Sequence, residues 1–380
     1  MQINKSFDKS VMSASALRRL NIVGVRSTLT VAMLLAGASG IGMAQWPGTE
    51  PFLPSPVRTV STVPANGDVN PYGVAFVPKT FETGAGPLKH GDILVSNFNN
   101  KSNLQGTGTT IVRIPKVGSP TLFFQGNTGL GLTTALGTLQ YGFVVVGNGP
   151  TPTGSSSSAE PGSLLVINNQ GKLIQTIANA WIQYPWDMAL IDHGDRATAY
   201  VTNALNGTVS RLDFKVNSGG LTLLGAKTIA SGYVHRGDPA ALFVAPTGLV
   251  YDAVPGRLYV ASTGDNAVFA IPDAANAEMD KGKGLIVYQD DAHLHGALGL
   301  AEAPNGHLLV TNNDTVNSDP SQPSEIVEFT KGGNFVKEIS VDPAQGGSFG
   351  LAVSTTNNQS ILAAVDDNAA TLIIWTLNEP

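Results

Sequence analysis

Short apolar and β-branched runs alternate with polar turns along most of this chain. The clearest example is AYVTNALNGTVSRLDF, Ala199 to Phe214, in which one run ends at Thr202 and Asn203 and a second begins at Thr208. Between them lies a polar turn with an Asn-Gly pair, a dipeptide that tolerates positive φ and suits a tight hairpin. The pattern predicts two adjacent antiparallel strands.

Five other segments align with this hairpin and predict the second strands of a repeated unit. They are Ile93 to Asn100, Phe143 to Pro150, Arg257 to Ala267, Leu308 to Asn317 and Ile361 to Ala370. The predicted opening strands are Tyr72 to Phe76, Gly131 to Leu136, Trp186 to Ile191, Gly248 to Asp252, Gly299 to Ala303 and Gly350 to Ser354. A third strand follows in every unit and a fourth in five of them, such as Ala226 to Ala230. A repeat of about 51 to 60 residues fits four strands with their loops.

The sixth unit lacks a fourth strand, whereas the predicted strand Val57 to Val63 has no unit of its own. Pairing this strand with the outer side of the last unit would close a ring and cover a long sheet edge. The sequence therefore predicts an all-β, six-bladed β-propeller with four-stranded antiparallel blades, a single domain over residues 57–380. Seven blades would require a unit that we do not find.

The N-terminal 44 residues have the order of a secretory signal peptide. Basic residues up to Arg26 precede an uncharged segment with the apolar centre Leu29 to Ala38, and Gly42-Met43-Ala44 offers a cleavage site. A membrane anchor is the alternative, but the segment is short and Gly-rich beside the roughly 20 apolar residues that span a bilayer. Arg18-Arg19 hints at twin-arginine export, although Leu20-Asn21 fits that signal poorly. Residues 45–56 are predicted to be an extended lead-in, and the mature protein to be periplasmic or extracellular.

Charge and cysteine content limit the possible binding partners and the means of stabilising the fold. The formal net charge of −6 becomes −10 once the five basic residues and Asp8 of the predicted leader are removed, which argues against a nucleic-acid partner. The chain has no cysteine, so an exported form must rely on its core without disulfides. We expect a monomer without stable membrane insertion after cleavage.

The repeat also resembles a known family. Tyr200-Val201-Thr202-Asn203 looks like the YVTN repeat of secreted bacterial and archaeal propellers, and Pro246-x-Gly248-Leu249 is similar to NHL repeats. The resemblance covers residues 57–380, with departures at Ser96, Gly147 and Ser262. It implies the propeller fold but no particular activity, because such propellers include binding proteins and unrelated enzymes.

In a propeller, the loops that join second to third strands emerge around the axis on the same face as the blade-to-blade loops, and ligands often bind there. The predicted ligand-binding face carries a column of amide and acid side chains and three aromatic residues: Asn97, Asn148, Asn203, Asn312, Asp366, Tyr72, Trp186 and Phe349. The column could bind sugar hydroxyls or a hard cation. Its recurrence in nearly every blade favours turn capping instead. The aromatic residues could form a ligand floor or pack between blades, and the long loops Asn99 to Gly108 and Gly149 to Gly162 could form a rim.

A second set of residues suggests metal chemistry. His235, His293 and His295 fall in blade-to-blade loops, and His-x-His is a usable metal-ligand spacing. Asp187 takes the place of the glycine found in the other opening strands, and Glu302 stands in a column otherwise filled by Phe76, Thr134, Leu190, Tyr251 and Val353. Buried carboxylates are costly unless paired or bound to a metal. Solvated or ion-paired histidines and a water-filled channel are the alternatives.

Two functions follow from these patterns. The first is an exported, non-catalytic propeller that binds a small molecule, glycan or protein on its loop-rich face. The second is a lactonase-like or lyase-like enzyme with a divalent cation near the axis, Asp187, Glu302 and His295 being the catalytic candidates. The second requires the acidic and histidine side chains to converge on one point. The sequence contains no Gly-x-Ser-x-Gly elbow, phosphate-binding loop or cysteine nucleophile.

Overall fold

The computed structural model describes residues 52, 58–313, 315–356 and 359–378. Within these residues the chain forms six four-stranded antiparallel sheets and one small hairpin. In five of the six sheets the four strands are consecutive along the chain, and in the sixth the first strand joins the last three. The predicted six-bladed β-propeller is confirmed. The predicted signal peptide and most of the predicted lead-in lie outside the described residues.

The blades are numbered along the chain. Blade 1 contains β2 (Val69–Phe76), β3 (Ile93–Asn99), β4 (Thr110–Ile114) and β5 (Thr121–Gln125), and blade 2 contains β6 (Leu132–Leu139), β7 (Phe143–Asn148), β8 (Ser163–Asn168) and β9 (Leu173–Ile177). Blade 3 contains β10 (Pro185–Asp192), β11 (Arg196–Asn203), β12 (Thr208–Asn217) and β13 (Gly220–Ala230). The small hairpin, β14 (Arg236–Asp238) and β15 (Leu242–Val244), follows.

The other three blades have the same order. Blade 4 contains β16 (Pro246–Asp252), β17 (Arg257–Ser262), β18 (Ala267–Ile271) and β19 (Leu285–Tyr288), and blade 5 contains β20 (Ala297–Glu302), β21 (Leu308–Asn312), β22 (Glu325–Phe329) and β23 (Phe335–Ser340). Blade 6 contains β24 (Ser348–Thr356), β25 (Gln359–Asp366), β26 (Thr371–Asn378) and β1 (Arg58–Ser61). Short 3-10 turns cover Ser156–Ser158 and Ala274–Asn276.

The N-terminal strand closes the ring as predicted. Antiparallel β1 pairs with β26, from Arg58 opposite Ile374 to Ser61 opposite Thr371. The Arg58 guanidinium donates hydrogen bonds to the backbone oxygens of Pro115 and Lys116 in blade 1. The strand therefore completes the last blade and also ties it to the first.

Strand alternation builds the core between the blades. On β3, for example, Ile93 and Val95 face blade 6, while Leu94 packs between blades 1 and 2. Six buried clusters result within the described residues, one for each pair of neighbouring blades. Because each blade is covered on both faces, its inner strands can be apolar on both sides.

The blades approach one another most closely at the axis, where backbone meets backbone. A Cβ on Gly350 would lie 1.7 Å from the carbonyl oxygen of Tyr72, and one on Gly248 would lie 2.3 Å from that of Leu298. This crowding explains why glycine recurs in the opening strands.

Hydroxyl side chains bridge neighbouring blades at the same level. Thr202 Oγ1 accepts a hydrogen bond from the Asp187 N–H and donates one to the Thr247 carbonyl of blade 4. Ser96 and Thr311 make the equivalent pair of bonds from blades 1 and 5. The threonine of the YVTN motif therefore joins blades, which explains why serine can replace it in blade 1.

Two local features differ from the sequence predictions. The hairpin β14–β15 was not predicted, because only two or three residues per strand carry its pattern. Strand β13 begins at Gly220, six residues before the predicted Ala226, because β12 continues to Asn217 and pairs with this extra length. No helix in the described part of the chain has the length and apolarity needed to cross a membrane.

Candidate functional site

A cavity of about 320 Å³ lies on the propeller axis and is lined by the opening strands of all six blades. Most of its lining residues are apolar in type, but polar atoms make up more of its exposed wall than apolar atoms do. Its polar side chains are those of Thr134, Asp187, Tyr251 and Glu302. It extends from Asp187, near the start of β10, to Glu302, at the end of β20. Because Glu302 pairs with Leu308, this second end belongs to the face where opening strands turn into second strands. That is the face opposite the predicted one.

Aromatic side chains fill the axis beside the other end of the cavity. The Tyr72 ring stacks on Phe349 and Phe98 at centroid distances of 4.0 and 4.3 Å, and Trp186 contacts Tyr72 at 6.0 Å. Tyr184 and Phe243 extend the cluster. Tyr72, Trp186 and Phe349, predicted as part of a ligand-binding face, are at most 7% exposed and pack against one another and their neighbours.

Three segments interlock over this aromatic cluster. Gln105, in the loop between β3 and β4, donates a hydrogen bond to the Ala240 carbonyl of the β14–β15 hairpin. Thr151, in the loop between β7 and β8, bonds to the Tyr184 hydroxyl at 2.7 Å. The two long loops that were predicted to form a binding rim thus help to cover the axis.

Asp187 lies at the inner end of the cavity. One carboxylate oxygen accepts a hydrogen bond from the Met188 N–H at 2.7 Å, and the other accepts one from the Leu249 N–H of blade 4 at 3.2 Å. Burial raises the pKa of Asp187 to about 7, and the two backbone hydrogen bonds oppose this rise. The carboxyl group therefore changes charge near neutral pH.

Glu302 lies at the outer end, in an ion-pair network. Lys331 Nζ is 2.5 Å from an oxygen of Glu302 and 2.5 Å from an oxygen of Asp252 in blade 4. Desolvation raises the pKa of Glu302, and the Lys331 ammonium works against this rise. Two acids thus share one cation beside the mouth of the cavity.

Thr134 is a cavity residue that the sequence alignment misplaced. Three residues separate the pairs Leu132–Asn148 and Leu136–Val146 of blade 2, whereas two residues separate the equivalent pairs in the other blades. Thr134 therefore lies in this bulge, and Thr138 takes the place equivalent to Glu302. Gly131 precedes the strand and is not in the glycine column. The hydroxyl of Thr134 is buried and has no hydrogen-bond partner within the described protein.

The asparagine column is buried and holds the segments that lead into the opening strands. Asn203 accepts a hydrogen bond from the Gln183 N–H and donates to the Trp181 carbonyl. The equivalent bonds of the other members reach Thr62 from Asn97, Gly131 from Asn148 and His293 from Asn312. Asp366 accepts from the Ala369 N–H, and burial raises its pKa. These side chains are all at most 6% exposed, so they do not present their amides to the surface.

The predicted histidine ligands lie apart from the cavity lining. Exposed His235 contacts the Tyr233 carbonyl. His293 stacks on Phe335 and lies 3.2 Å from Glu338, while His295 Nε2 is 3.8 Å from Asp319. Across the described residues, no group of three or more histidine and acidic side chains is arranged to hold a metal ion. The structure places Asp187 and Glu302 in the cavity and does not bring the histidines to them.

A buried acid–base pair in blade 5 was not singled out from the sequence. His307 Nδ1 and Glu328 Oε1 are 2.6 Å apart, and both side chains are fully buried. The Phe52 N–H, in the predicted lead-in, also bonds to Glu328 at 2.8 Å. Phe52 packs against the cluster between blades 5 and 6, so this pair serves to hold Phe52 in place.

No family model and no curated protein matches the chain. Solved structures do: a luciferin-regenerating enzyme aligns at TM-score 0.53 and 11% identity over 85% of this chain and 95% of its own. An α-L-arabinanase of Penicillium chrysogenum, in complex with arabinobiose, aligns at TM-score 0.52 and 13% identity, over 86% of this chain and 99% of the arabinanase. A calcium-binding regucalcin of Agrobacterium tumefaciens aligns at TM-score 0.48 and 12% identity, over 84% of this chain and 95% of the regucalcin. At these identities the similarity shows the fold alone.

Proposed function

We propose that this protein is an exported, non-catalytic β-propeller that binds a small molecule in its axial cavity. The observation that carries the proposal is a cavity formed by all six opening strands, with a partly buried carboxyl group at its inner end. Its volume of about 320 Å³ falls at the lower end of the range of roughly 300–1,000 Å³ that ligand pockets occupy.

The small volume of the cavity favours a small ligand over a protein or a large glycan. A protein partner would need an accessible surface, and the aromatic and amide residues predicted for that role are buried. The proposal therefore moves the binding site from the loop-rich face to the axis.

The geometry supports binding better than metal-assisted catalysis. The enzyme hypothesis requires the acids and histidines to converge, and the described residues do not form such a group. Asp187 and Glu302 make different contacts, one with backbone N–H groups and the other with Lys331. The names of the similar structures include enzymes, but at 11–13% identity they do not transfer an activity.

Export rests on the signal-peptide pattern of residues 1–44 and is tested separately. Expression of the full chain in a Gram-negative bacterium should yield a protein whose N-terminus is Gln45, recovered from the periplasm. An uncleaved chain in the cytoplasmic or membrane fraction would contradict export without touching the cavity.

Binding is tested by obstructing the cavity mouth. Val353 lines the cavity at the position equivalent to Tyr251, so blade 4 shows that a tyrosine fits there. Leu190 holds the same position in blade 3 but does not line the cavity, so Leu190→Tyr is the matched control. In a ligand-observed NMR screen of small polar and cationic fragments, we expect hits on the wild type and the control that Val353→Tyr weakens at least tenfold. Equal binding by all three proteins would place the ligand elsewhere and overturn the proposal.

A further inference from the structure

The polar groups of the axial cavity indicate the charge of its ligand. Asp187 accepts two backbone hydrogen bonds, whereas an ionised carboxylate offers about four acceptor sites. Among the described residues, no lysine, arginine or histidine lies within 4.0 Å of its oxygens. The carboxylate therefore lacks a countercharge from the protein.

The charges around the cavity favour a cation. Its ionisable lining residues are Asp187, Tyr251 and Glu302, and Glu302 shares the Lys331 ammonium with Asp252. When Asp187, Asp252 and Glu302 are all ionised, the single positive charge of Lys331 leaves two negative charges uncompensated. An anionic ligand would be repelled, whereas a cation would be attracted.

Apolar residues stand beside the polar part of the wall. The lining includes five of them, one from each of blades 2 to 6: Leu136, Met188, Leu249, Leu300 and Leu351. An aliphatic or aromatic group that contacts them would be stabilised through the hydrophobic effect, at roughly 25 cal/mol per Å² of apolar surface buried.

We propose that the cavity binds a small primary amine, with its ammonium group on Asp187 and its apolar body against the leucine and methionine side chains. This inference rests on the proposed function and names the ligand class. The ammonium supplies the charge-assisted donors that the carboxylate lacks.

Calorimetric titration with three matched probes tests the inference: benzylamine, which is cationic, benzyl alcohol, which is neutral, and benzoate, which is anionic. At about pH 8, where Asp187 is ionised, we expect benzylamine to bind the wild type at least tenfold more tightly than benzyl alcohol and benzoate not to bind. Asp187→Asn should abolish the preference for the amine while leaving benzyl alcohol within about threefold. Glu160→Gln, at an exposed carboxylate, is the control and should change neither affinity.

The pH dependence of binding separates a direct contact with Asp187 from a general charge effect. Lowering the pH to about 5.5 should weaken the binding of benzylamine at least tenfold in the wild type but not in Asp187→Asn, since Asp187 takes up a proton.

The outcomes distinguish this inference from the proposed function. Equal or tighter binding of benzyl alcohol, or unchanged amine affinity in Asp187→Asn, would overturn the amine inference while a cavity ligand remains supported. Failure of all three probes would also overturn it. Only equal fragment binding by wild type and Val353→Tyr would refute the cavity as a binding site.

Discussion

The carboxylate of Asp187 in blade 3 accepts a hydrogen bond from the backbone N–H of Leu249 in blade 4. Ser96, Thr202 and Thr311 join neighbouring blades through hydroxyl groups, whereas this contact uses an acid. The Asp187 carboxylate therefore has two roles: it joins blades 3 and 4, and it is the main polar group of the cavity. The consequences for stability can be measured separately from binding.

The stability of the protein should depend on pH through Asp187. Its pKa is raised by burial to about 7, compared with about 3.9 in an unfolded chain. Between these values the folded state binds more protons, so the contribution of this group to stability falls as pH rises, by at most about 1.4 kcal/mol per pH unit. Below about pH 4 and above about pH 7 the contribution is constant.

The variant Asp187→Asn isolates this effect, because the raised pKa values of Glu302 and Asp366 act in the same direction and cancel in the difference. Urea unfolding can be measured from about pH 4.5 to 8, which covers most of the range between the unfolded and folded pKa values of Asp187. As pH rises toward 7, the free energy of unfolding of the variant should increase relative to that of the wild type. Glu160→Gln should show no such trend. Parallel curves for wild type and Asp187→Asn would contradict a raised pKa.

The Thr202 hydroxyl should stabilise the contact between blades 3 and 4. Thr202→Val preserves the shape but leaves the Asp187 N–H and the Thr247 carbonyl without this partner, at a cost of about 1–3 kcal/mol. Thr202→Ser keeps the hydroxyl and loses one methyl group, at a cost of about 0.8 kcal/mol. Denaturant midpoints should therefore rank wild type, Ser and Val in that order, and a valine variant as stable as the serine variant would refute the bridge.

Much of the fold was predictable because each repeat has a recognisable local sequence pattern of strands and turns. Apolar alternation and Asn-Gly turns define the strands, and the unpaired strand before blade 1 reveals the closure that β1 and β26 make. Asp187 and Glu302 stood out because they interrupt columns of glycine and apolar residues. Both line the cavity.

The remaining features depend on geometry that the repeat does not encode. The extra residue in the blade 2 bulge shifts Thr134 into the cavity. The other blades have only two residues in this bulge, so aligning the repeats does not predict the shift. The β14–β15 hairpin and two long loops cover the aromatic cluster through contacts between distant segments. The open end of the cavity therefore could not be assigned from the order of the strands.

The Lys331 network should stabilise the contact between blades 4 and 5. Lys331→Met leaves Asp252 and Glu302 without their shared cation, and we expect a loss of about 1–2 kcal/mol, because the groups remain partly solvated. The loss should shrink as pH falls, since desolvation raises the pKa of Glu302 and a neutral acid needs no cation. Urea unfolding at two pH values checks this.

Lys227→Met is the control for that measurement. Lys227 pairs with Glu278, whose side chain is 77% exposed, so its removal should leave the unfolding midpoint unchanged. If both lysine variants behaved alike, the network at the cavity mouth would have no special role.

Close approach of blades 6 and 1 should make Gly350 intolerant of any side chain. In Gly350→Ala the added Cβ would lie 1.7 Å from the Tyr72 carbonyl oxygen, so the two opening strands would have to separate at the seam that β1 closes. We expect a loss of about 3 kcal/mol or more, or failure to accumulate as folded protein. Gly225→Ala is the control, because nothing lies within 4 Å of a Cβ there and its change should stay within about 0.5 kcal/mol. Thermal melting of the two variants decides the matter, and equal melting temperatures would show that the ring can widen at its axis without cost.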